Sequence, residues 1–159
     1  MANFTIRRAE KGDEEIAFAL LHALADYEKL LDRFHITKEI IARDYFSAQP
    51  LLNCDLAFED AKPVGIATWY WTYHSFAARR GIFLEDLFVK PEIRGKGYGK
   101  ALLAHLARSA LENRGGQVEW EVLDWNQPSI DFYEGIGAKR QGGWHTYRLD
   151  GDALKAMAS

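Results

Sequence analysis

The chain has 159 residues, of which 48% are hydrophobic and 13% aromatic, and a formal net charge of −3 at pH 7. This length and composition predict one globular domain over residues 1–159, and the slightly acidic balance excludes the basic footprint of a non-specific nucleic-acid binder. The one cysteine, Cys54, cannot form an internal disulfide, no apolar run approaches the ~20 residues of a membrane span, and no apolar leader opens the chain. We therefore expect a cytoplasmic protein without membrane or nucleic-acid partners.

The first part of the sequence predicts one strand followed by two helices. Residues 4–8 have the composition of a strand, and Asp13 stands where it would cap a helix whose apolar residues recur at helical spacing. Thr37 is placed to cap a second helix, and Gln49-Pro50 ends it because the residue before a proline is driven out of helical geometry. The chain therefore begins β-α-α.

The middle of the sequence predicts an antiparallel meander of three strands. Residues 55–59, 64–74 and 81–89 are rich in β-branched and aromatic residues. The tetrapeptide Asp60-Ala61-Lys62-Pro63 is typical of the hairpin turn that would join the first two strands.

The remaining segments predict further helices and strands in alternation. A broad apolar helix face begins at Ala101, and strands are expected at 117–123 and 144–149, with a short helix at 128–134 between them and a tail helix at the end. The whole order is β-α-α-β-β-β-α-β-α-β. This order indicates an α/β (α+β) fold with a mixed, mostly antiparallel central sheet flanked by helices.

The run Arg94-Gly95-Lys96-Gly97-Tyr98-Gly99-Lys100 lies between the third meander strand and the next helix. Glycines let the backbone bend and bring its N–H groups close to an anion, and the helix start adds the positive end of its dipole. A Walker A loop would need Ser or Thr at Ala101, and the glycine spacing differs from that of dinucleotide-binding folds. The run therefore predicts a phosphate site of another kind.

In this position the run fits Arg/Gln-x-x-Gly-x-Gly/Ala, the acyl-CoA pyrophosphate loop of the GCN5-related N-acetyltransferase (GNAT) superfamily, and nearly the whole chain resembles that family. Within it, the chain is most similar to the diamine acetyltransferase branch of spermidine/spermine and thialysine enzymes. The segments that carry this resemblance are Ala25-Asp26-Tyr27-Glu28-Lys29, Phe83-Leu84-Glu85-Asp86, Leu123-Asp124-Trp125-Asn126-Gln127, Asp131-Phe132-Tyr133 and Gly143-Trp144. The Leu-Asp-Trp-Asn-Gln segment resembles the thialysine enzymes more than the spermidine/spermine enzymes.

The resemblance implies a homodimer that uses acetyl-CoA, needs no metal, and acetylates a small primary amine such as a diamine, a polyamine or a thialysine- or lysine-like amino acid. The cofactor-binding residues that it implies are Leu87, Phe88, Val89, Arg94, Gly95, Lys96, Gly97, Tyr98, Gly99, Lys100, Asn126 and Ser129. The substrate-binding residues that it implies are Tyr27, Glu28, Glu85, Asp86 and Trp144.

The chemistry implied is direct attack of the amine on the thioester. An alkyl amine with a pKa of about 10.4 is protonated at neutral pH, so a base has to remove a proton. Glu85 is the candidate base, acting through a water, and Tyr133 is the candidate general acid for the departing CoA sulfur. Backbone N–H groups near Val89 are expected to face the oxyanion.

Several readings of single residues stay open at the sequence level. Adjacent residues of a regular strand point to opposite faces, so Glu85 and Asp86 cannot share one cleft without a bulge or a dimer-related second site. Asp86 equally suits an ion pair with Arg79 or Arg94, and Tyr27 equally suits packing in the core.

The acceptor and even the catalytic role also have alternatives. Polyamine-specific enzymes carry an acidic residue where this chain has His74, which argues against long polyamines. A non-catalytic acyl-CoA sensor or interaction module would keep the loop without the chemistry. A protein N-acetyltransferase would need an open groove, whereas bulky aromatic residues around this site favour a closed pocket.

Overall fold

The computed structural model of this chain describes residues 1–159, which fall into two units, Met1–Glu121 and Val122–Ser159. The first unit contains one five-stranded sheet with the strand order β1-β2-β3-β4-β5. Its strands are β1 (Phe4–Arg8), β2 (Asn53–Glu59), β3 (Lys62–His74), β4 (Arg79–Val89) and β5 (Val118–Trp120), and its helices are α1 (Glu14–Tyr27), α2 (Lys38–Asp44) and α3 (Tyr98–Glu112). The second unit contains α4 (Gln127–Gly135) and α5 (Gly151–Ala158).

The sheet is mixed, as the sequence predicts. Strands β1 to β4 pair antiparallel with their neighbours, and β5 pairs parallel to β4. A parallel pair needs a crossover connection, and α3 provides it between β4 and β5. The predicted meander of three strands is confirmed, and each of its strands begins about two residues earlier than the sequence pattern suggests.

The two faces of the sheet are covered by different helices. On one face, Leu20 and Leu24 of α1 and Ile41 of α2 pack against Leu56 and Phe88. The other face carries α3, whose His105 side chain approaches Asp55, the residue before Leu56 in β2. Adjacent strand residues point to opposite faces, so both helix layers have a buried surface to meet.

Asp55 ties three strands and a helix together on the α3 face. Its carboxylate is 1% exposed and accepts a hydrogen bond from the Trp69 indole nitrogen at 2.7 Å. The Arg8 guanidinium lies 3.2 Å away and the His105 ring 3.5 Å away. A buried carboxylate needs such partners, because burial without them is costly.

Two predicted helix starts have different outcomes. Thr37 caps α2, and its hydroxyl accepts a hydrogen bond from the Ile40 N–H at 3.2 Å. Asp13 stands at the start of α1 but makes no side-chain cap hydrogen bond. Its carboxylate is engaged by Arg7 at 2.7 Å and by the Glu10 N–H at 2.9 Å, since a cation attracts it more strongly than a helix N–H does.

Three other boundaries differ from the sequence-based prediction. Helix α3 begins at Tyr98 and not at Ala101, so part of the glycine run belongs to its first turn. The strand expected at 117–123 is only Val118–Trp120. The last strand, expected at 144–149, is not formed. A segment with strand propensity forms a strand only when it makes backbone hydrogen bonds with a neighbouring strand. No strand of the sheet pairs with residues 144–149. None of the helices has the length and apolar composition that a membrane span requires.

Replacing Asp55 with Ala should lower the free energy of unfolding by about 2–4 kcal/mol, because the Trp69 N–H and the Arg8 cation lose their buried partner. Chemical denaturation measures this change. Asp26→Ala, at an exposed position of α1, is the matched control and should change stability by less than about 0.5 kcal/mol. An equal, small effect of both substitutions would contradict the structural role of Asp55.

Candidate active site

Strand β4 contains one residue more than its partner strand at the centre of the sheet. Thr68 of β3 pairs with Asp86, and the next β3 residue, Trp69, pairs with Leu84, so Glu85 has no partner. This is a β-bulge, which bends the strand and changes the direction of the side chains on either side. The bulge that the sequence analysis required for Glu85 and Asp86 to share a cleft is therefore present.

The bulge brings carboxylates together on the face that α1 and α2 cover. Glu85 and Asp86 are close enough for the Asp86 charge to act on Glu85, and Glu28, at the end of α1, acts on Asp86. Asp86 accepts a short hydrogen bond from the Thr68 hydroxyl. Asp86 forms no ion pair with Arg79 or Arg94, the two partners that the sequence offered for it.

Burial raises the pKa of all three carboxyl groups, and repulsion from neighbouring charges adds to the effect for Glu85 and Asp86. For Glu85 the largest cause is loss of hydration, followed by the charges of Asp86 and Glu121. For Asp86 it is again loss of hydration, which the Thr68 hydrogen bond partly offsets, and for Glu28 it is loss of hydration alone. Each group is thus ionised less readily than a free carboxyl, and a cation placed among them would be strongly favoured.

Three residues of this site were not found by sequence reasoning. Burial raises the pKa of Tyr45 to about 12, and the charges of Asp86 and Glu85 add to the effect. The pKa of Tyr70 is raised by burial and by the charges of Glu85 and Glu121. Tyr45 follows α2, Tyr70 lies on β3 and Glu121 follows β5, so nothing in the linear sequence links them to Glu85.

The side of β4 that faces away from β3 is open beyond the bulge. Strand β5 pairs with β4 only at Ile82–Leu84, and the Lys90 N–H donates to the Val64 carbonyl at 2.9 Å. Antiparallel pairing alternates, so the backbone groups of Leu87 and Val89 point away from β3, into the space that β5 leaves. An extended chain could add there as a further strand.

Phe88 has a different place from its two neighbours. Its side chain is 3% exposed and belongs to the core, and its backbone is aligned with Ile66 of β3. Of the three cofactor residues expected on this strand, Leu87 and Val89 turn their backbone to the open side, and Phe88 supports them from the core.

The glycine run folds into a turn that leads directly into α3. Gly95 and Gly97 have φ angles of +85° and +83°, a conformation that residues with a Cβ rarely adopt. The first helix hydrogen bond runs from the Ala101 N–H to the Gly97 carbonyl at 2.9 Å. The N–H groups of Tyr98, Gly99 and Lys100 therefore have no acceptor within the helix and point out of its positive end.

Two side chains of the run are anchored to β2. The Lys96 ammonium lies 2.8 Å from the Glu59 carboxylate, and the Tyr98 hydroxyl donates to the same carboxylate. This hydrogen bond is the main reason why the pKa of Tyr98 rises to about 12. The Tyr98 ring also stacks on Phe4, with ring centroids 4.1 Å apart. Lys100 is exposed, so the fixed positive character of the turn comes mainly from backbone N–H groups.

Arg94 turns towards the end of β4 and the end of α1. Its Nε donates to the Val89 carbonyl at 3.0 Å. Its guanidinium lies over the rings of Tyr27 and Phe88, 4.8 Å and 5.7 Å from their centroids. Tyr27 is also half-buried against the core cluster, so its ring combines core packing with the contact to Arg94.

The remaining predicted residues lie in the second unit. Asn126 is buried at the start of α4, where its side chain accepts from the Ser129 N–H at 3.4 Å. Tyr133 is half-buried on α4, its ring 5.4 Å from that of Phe132. Trp144 is 93% exposed in the segment that leads to α5.

His74, which departs from the polyamine-enzyme pattern, lies at the end of β3. Its Nε2 is 3.3 Å from a Glu119 carboxylate oxygen and 3.4 Å from the Thr72 hydroxyl. No group of three or more His, Cys, Asp or Glu side chains could hold a metal ion.

Comparison with known proteins finds relatives that match nearly the whole chain. Thialysine N-epsilon-acetyltransferase from Bos taurus is 36% identical over 99% of both chains. Spermidine/spermine N(1)-acetyltransferase-like protein 1 from Homo sapiens is 34% identical over 99% of this chain and 24% of its own.

Solved structures show the same fold. A Vibrio cholerae integron cassette protein superposes with a TM-score of 0.79 at 25% identity, covering 98% of this chain and 97% of its own. An aminoglycoside N-acetyltransferase in complex with CoA has a TM-score of 0.70 at 22% identity, covering 93% and 95%. The model of the acetyltransferase (GNAT) family matches residues 19–138. The chain therefore belongs to the acetyltransferase (GNAT) family and is an N-acetyltransferase of that family.

Proposed function

We propose that this enzyme transfers an acetyl group from acetyl-CoA to a small primary amine. The observation that carries the proposal is the β-bulge at Glu85, with Asp86 and Glu28 beside it. An ammonium group entering this cluster relieves the repulsion between the carboxylates, so the site favours a cationic substrate over a neutral one. The relatives named for thialysine and for spermidine/spermine agree with an amine of this kind.

The acyl-CoA would lie along the open side of β4. Leu87 and Val89 offer backbone groups to the pantetheine arm, and the turn at Gly95 and Gly97 offers N–H groups to the pyrophosphate. Replacing either glycine would place a residue with a Cβ at a positive φ angle, a backbone conformation that such residues rarely adopt. Asn126 and Ser129 are further proposed contacts of the pantetheine arm.

The thioester supplies an activated acetyl group, and the protein supplies proton transfers. Glu85, through a water, takes a proton from the substrate ammonium, and the free amine nitrogen forms a bond to the acetyl carbon. The carbon–sulfur bond breaks, and the Tyr133 hydroxyl gives its proton to the sulfur. The second proton that the nitrogen loses as the amide forms returns to the Tyr133 oxygen through water, which restores the hydroxyl. The N–H groups of Leu87 and Val89 point to the open side of β4, and that of Leu87, which is nearer the bulge, suits the oxygen of the acetyl group.

The single-domain organisation over residues 1–159 and the cytoplasmic location, both expected from length and composition, belong to the same proposal, as does the homodimer implied by the resemblance. Light scattering on purified protein tests the homodimer through the molar mass, which should be twice that of the 18.1 kDa chain.

A screen of amines with acetyl-CoA, read as release of the CoA thiol, tests the proposed function. Short diamines and lysine- or thialysine-like amino acids should react best. His74 stands where polyamine-specific enzymes carry an acidic residue, so a long polyamine would lack that negative charge here. Highest activity on spermine would contradict this acceptor class, and highest activity on a peptide would favour protein acetylation. Binding of CoA without thiol release against any amine would favour the non-catalytic alternative.

Tyr133→Phe should lower kcat by about tenfold to a hundredfold, because the departing sulfur loses its proton donor. CoA affinity, measured by calorimetry, should be unchanged. Tyr147→Phe, which removes a hydroxyl from a tyrosine that is 92% exposed, is the matched control and should leave both quantities unchanged. Full turnover by Tyr133→Phe would remove Tyr133 from the mechanism.

Glu85→Gln should lower kcat/KM for the amine by about a hundredfold, since it removes the proposed base and keeps its size. Only the ionised carboxylate accepts a proton, and its pKa is raised. The wild-type rate should therefore fall as pH drops through a value above the ordinary 4.5 of Glu. The Gln variant should lack this acidic limb in a kcat/KM profile, and Glu112→Gln, on the exposed end of α3, should retain it. An unchanged acidic limb in Glu85→Gln would assign it to another group.

A further inference from the structure

Arg94 is the motif residue whose position differs most from that of a phosphate ligand. Its Nε donates to the Val89 carbonyl at 3.0 Å, and the flat guanidinium lies over Tyr27 and Phe88. The side chain thus connects three elements: the loop that carries it, the end of β4 and the end of α1.

The Val89 carbonyl is a polar group that an added strand would otherwise use. It points to the open side of β4, and the Arg94 hydrogen bond occupies it. Arg94 therefore closes the open side at the last residue of β4 and fixes how far a pantetheine arm can pair along the strand.

The contact with Tyr27 reaches the end of α1, next to one of the three carboxylates of the proposed amine site. Tyr27 precedes Glu28, whose charge acts on Asp86. The Tyr27 ring meets the core on one side and the Arg94 guanidinium on another, so its orientation depends on both. A planar guanidinium stacks on a ring in a way that an ammonium does not reproduce.

We infer that Arg94 is a positioning residue that couples the acyl-CoA loop to Tyr27 in the amine site, and that pairing with pyrophosphate is not its main role. This inference rests on the proposed function and adds to it a physical link between the two substrate sites. Backbone N–H groups at the start of α3 are left to hold the pyrophosphate.

An acetyl donor that lacks phosphate groups distinguishes the two roles of Arg94, positioning Tyr27 or pairing with pyrophosphate. S-acetylpantetheine carries the thioester and the pantetheine arm but no pyrophosphate. If Arg94 positions Tyr27, Arg94→Gln lowers kcat/KM for the amine by about threefold to tenfold with both acetyl-CoA and S-acetylpantetheine. If Arg94 acts on pyrophosphate, the loss appears with acetyl-CoA only, and the inference is overturned.

Conservative variants sharpen the distinction. Arg94→Lys keeps the charge but loses the planar stack, so it should not restore the amine kcat/KM; full rescue by Lys would indicate a simple charge effect and overturn the inference. Tyr27→Phe keeps the ring and should retain the response to Arg94→Gln. In a Tyr27→Leu background, Arg94→Gln should cost less than in the wild type, whereas strictly additive losses would contradict the coupling.

Binding measurements decide the role of Arg94 even without turnover. Calorimetry with CoA and with pantetheine should show the same affinity change for Arg94→Gln with both ligands, and a loss confined to CoA would overturn the inference. Arg108→Gln, at an exposed arginine of α3, is the matched control and should change neither affinity. If the wild type acetylates no amine, the proposed function fails, while this comparison still tests Arg94.

Discussion

The extra residue in β4 is the constraint on which the rest of the site depends. In a regular strand Glu85 and Asp86 would point to opposite faces. The bulge places Glu85 without a partner between Leu84 and Asp86, and it also shifts the alternation of the backbone. Ile82 offers its N–H to the chain before β5, and after the bulge the odd-numbered residues Leu87 and Val89 face that same side. One inserted residue thus sets both the carboxylate cluster and the open edge.

The carboxylate cluster carries an electrostatic cost in the free enzyme that a bound ammonium would offset. Glu28, Glu85 and Asp86 all have raised pKa values, which means that the folded state holds their charged forms less favourably than the unfolded chain does. They therefore contribute more stability at acidic pH than at neutral pH, where the charged forms repel one another. A bound ammonium offsets that repulsion. The unfavourable electrostatic free energy of the free enzyme therefore increases its affinity for a cation.

The two substrates would meet opposite electrostatic environments along one strand. The carboxylates lie at the bulge, whereas the turn with Gly95 and Gly97 and the positive end of α3 follow Val89. With a rise of about 3.3 Å per residue, the bulge and the end of β4 are roughly 13 Å apart. An extended arm along β4 suits the space between a reacting acetyl group and its phosphates. Asp55, with Trp69 and His105, links α3 to the sheet.

The amino-acid sequence by itself determined the features that depend on neighbouring residues. The β-rich meander, the Thr37 cap and the glycine turn before α3 follow from local propensity and spacing, and the structure confirms these elements. The candidate role of Glu85 comes from the resemblance of its segment to the family. Only the tertiary structure decided the position of the bulge, the approach of Tyr45, Tyr70 and Glu121 to Glu85, and the turn of Arg94 away from the loop. It also decided that residues 144–149 form no strand. These features depend on register, on hydrogen-bond partners and on residues far away in the chain, and a local pattern contains none of that information.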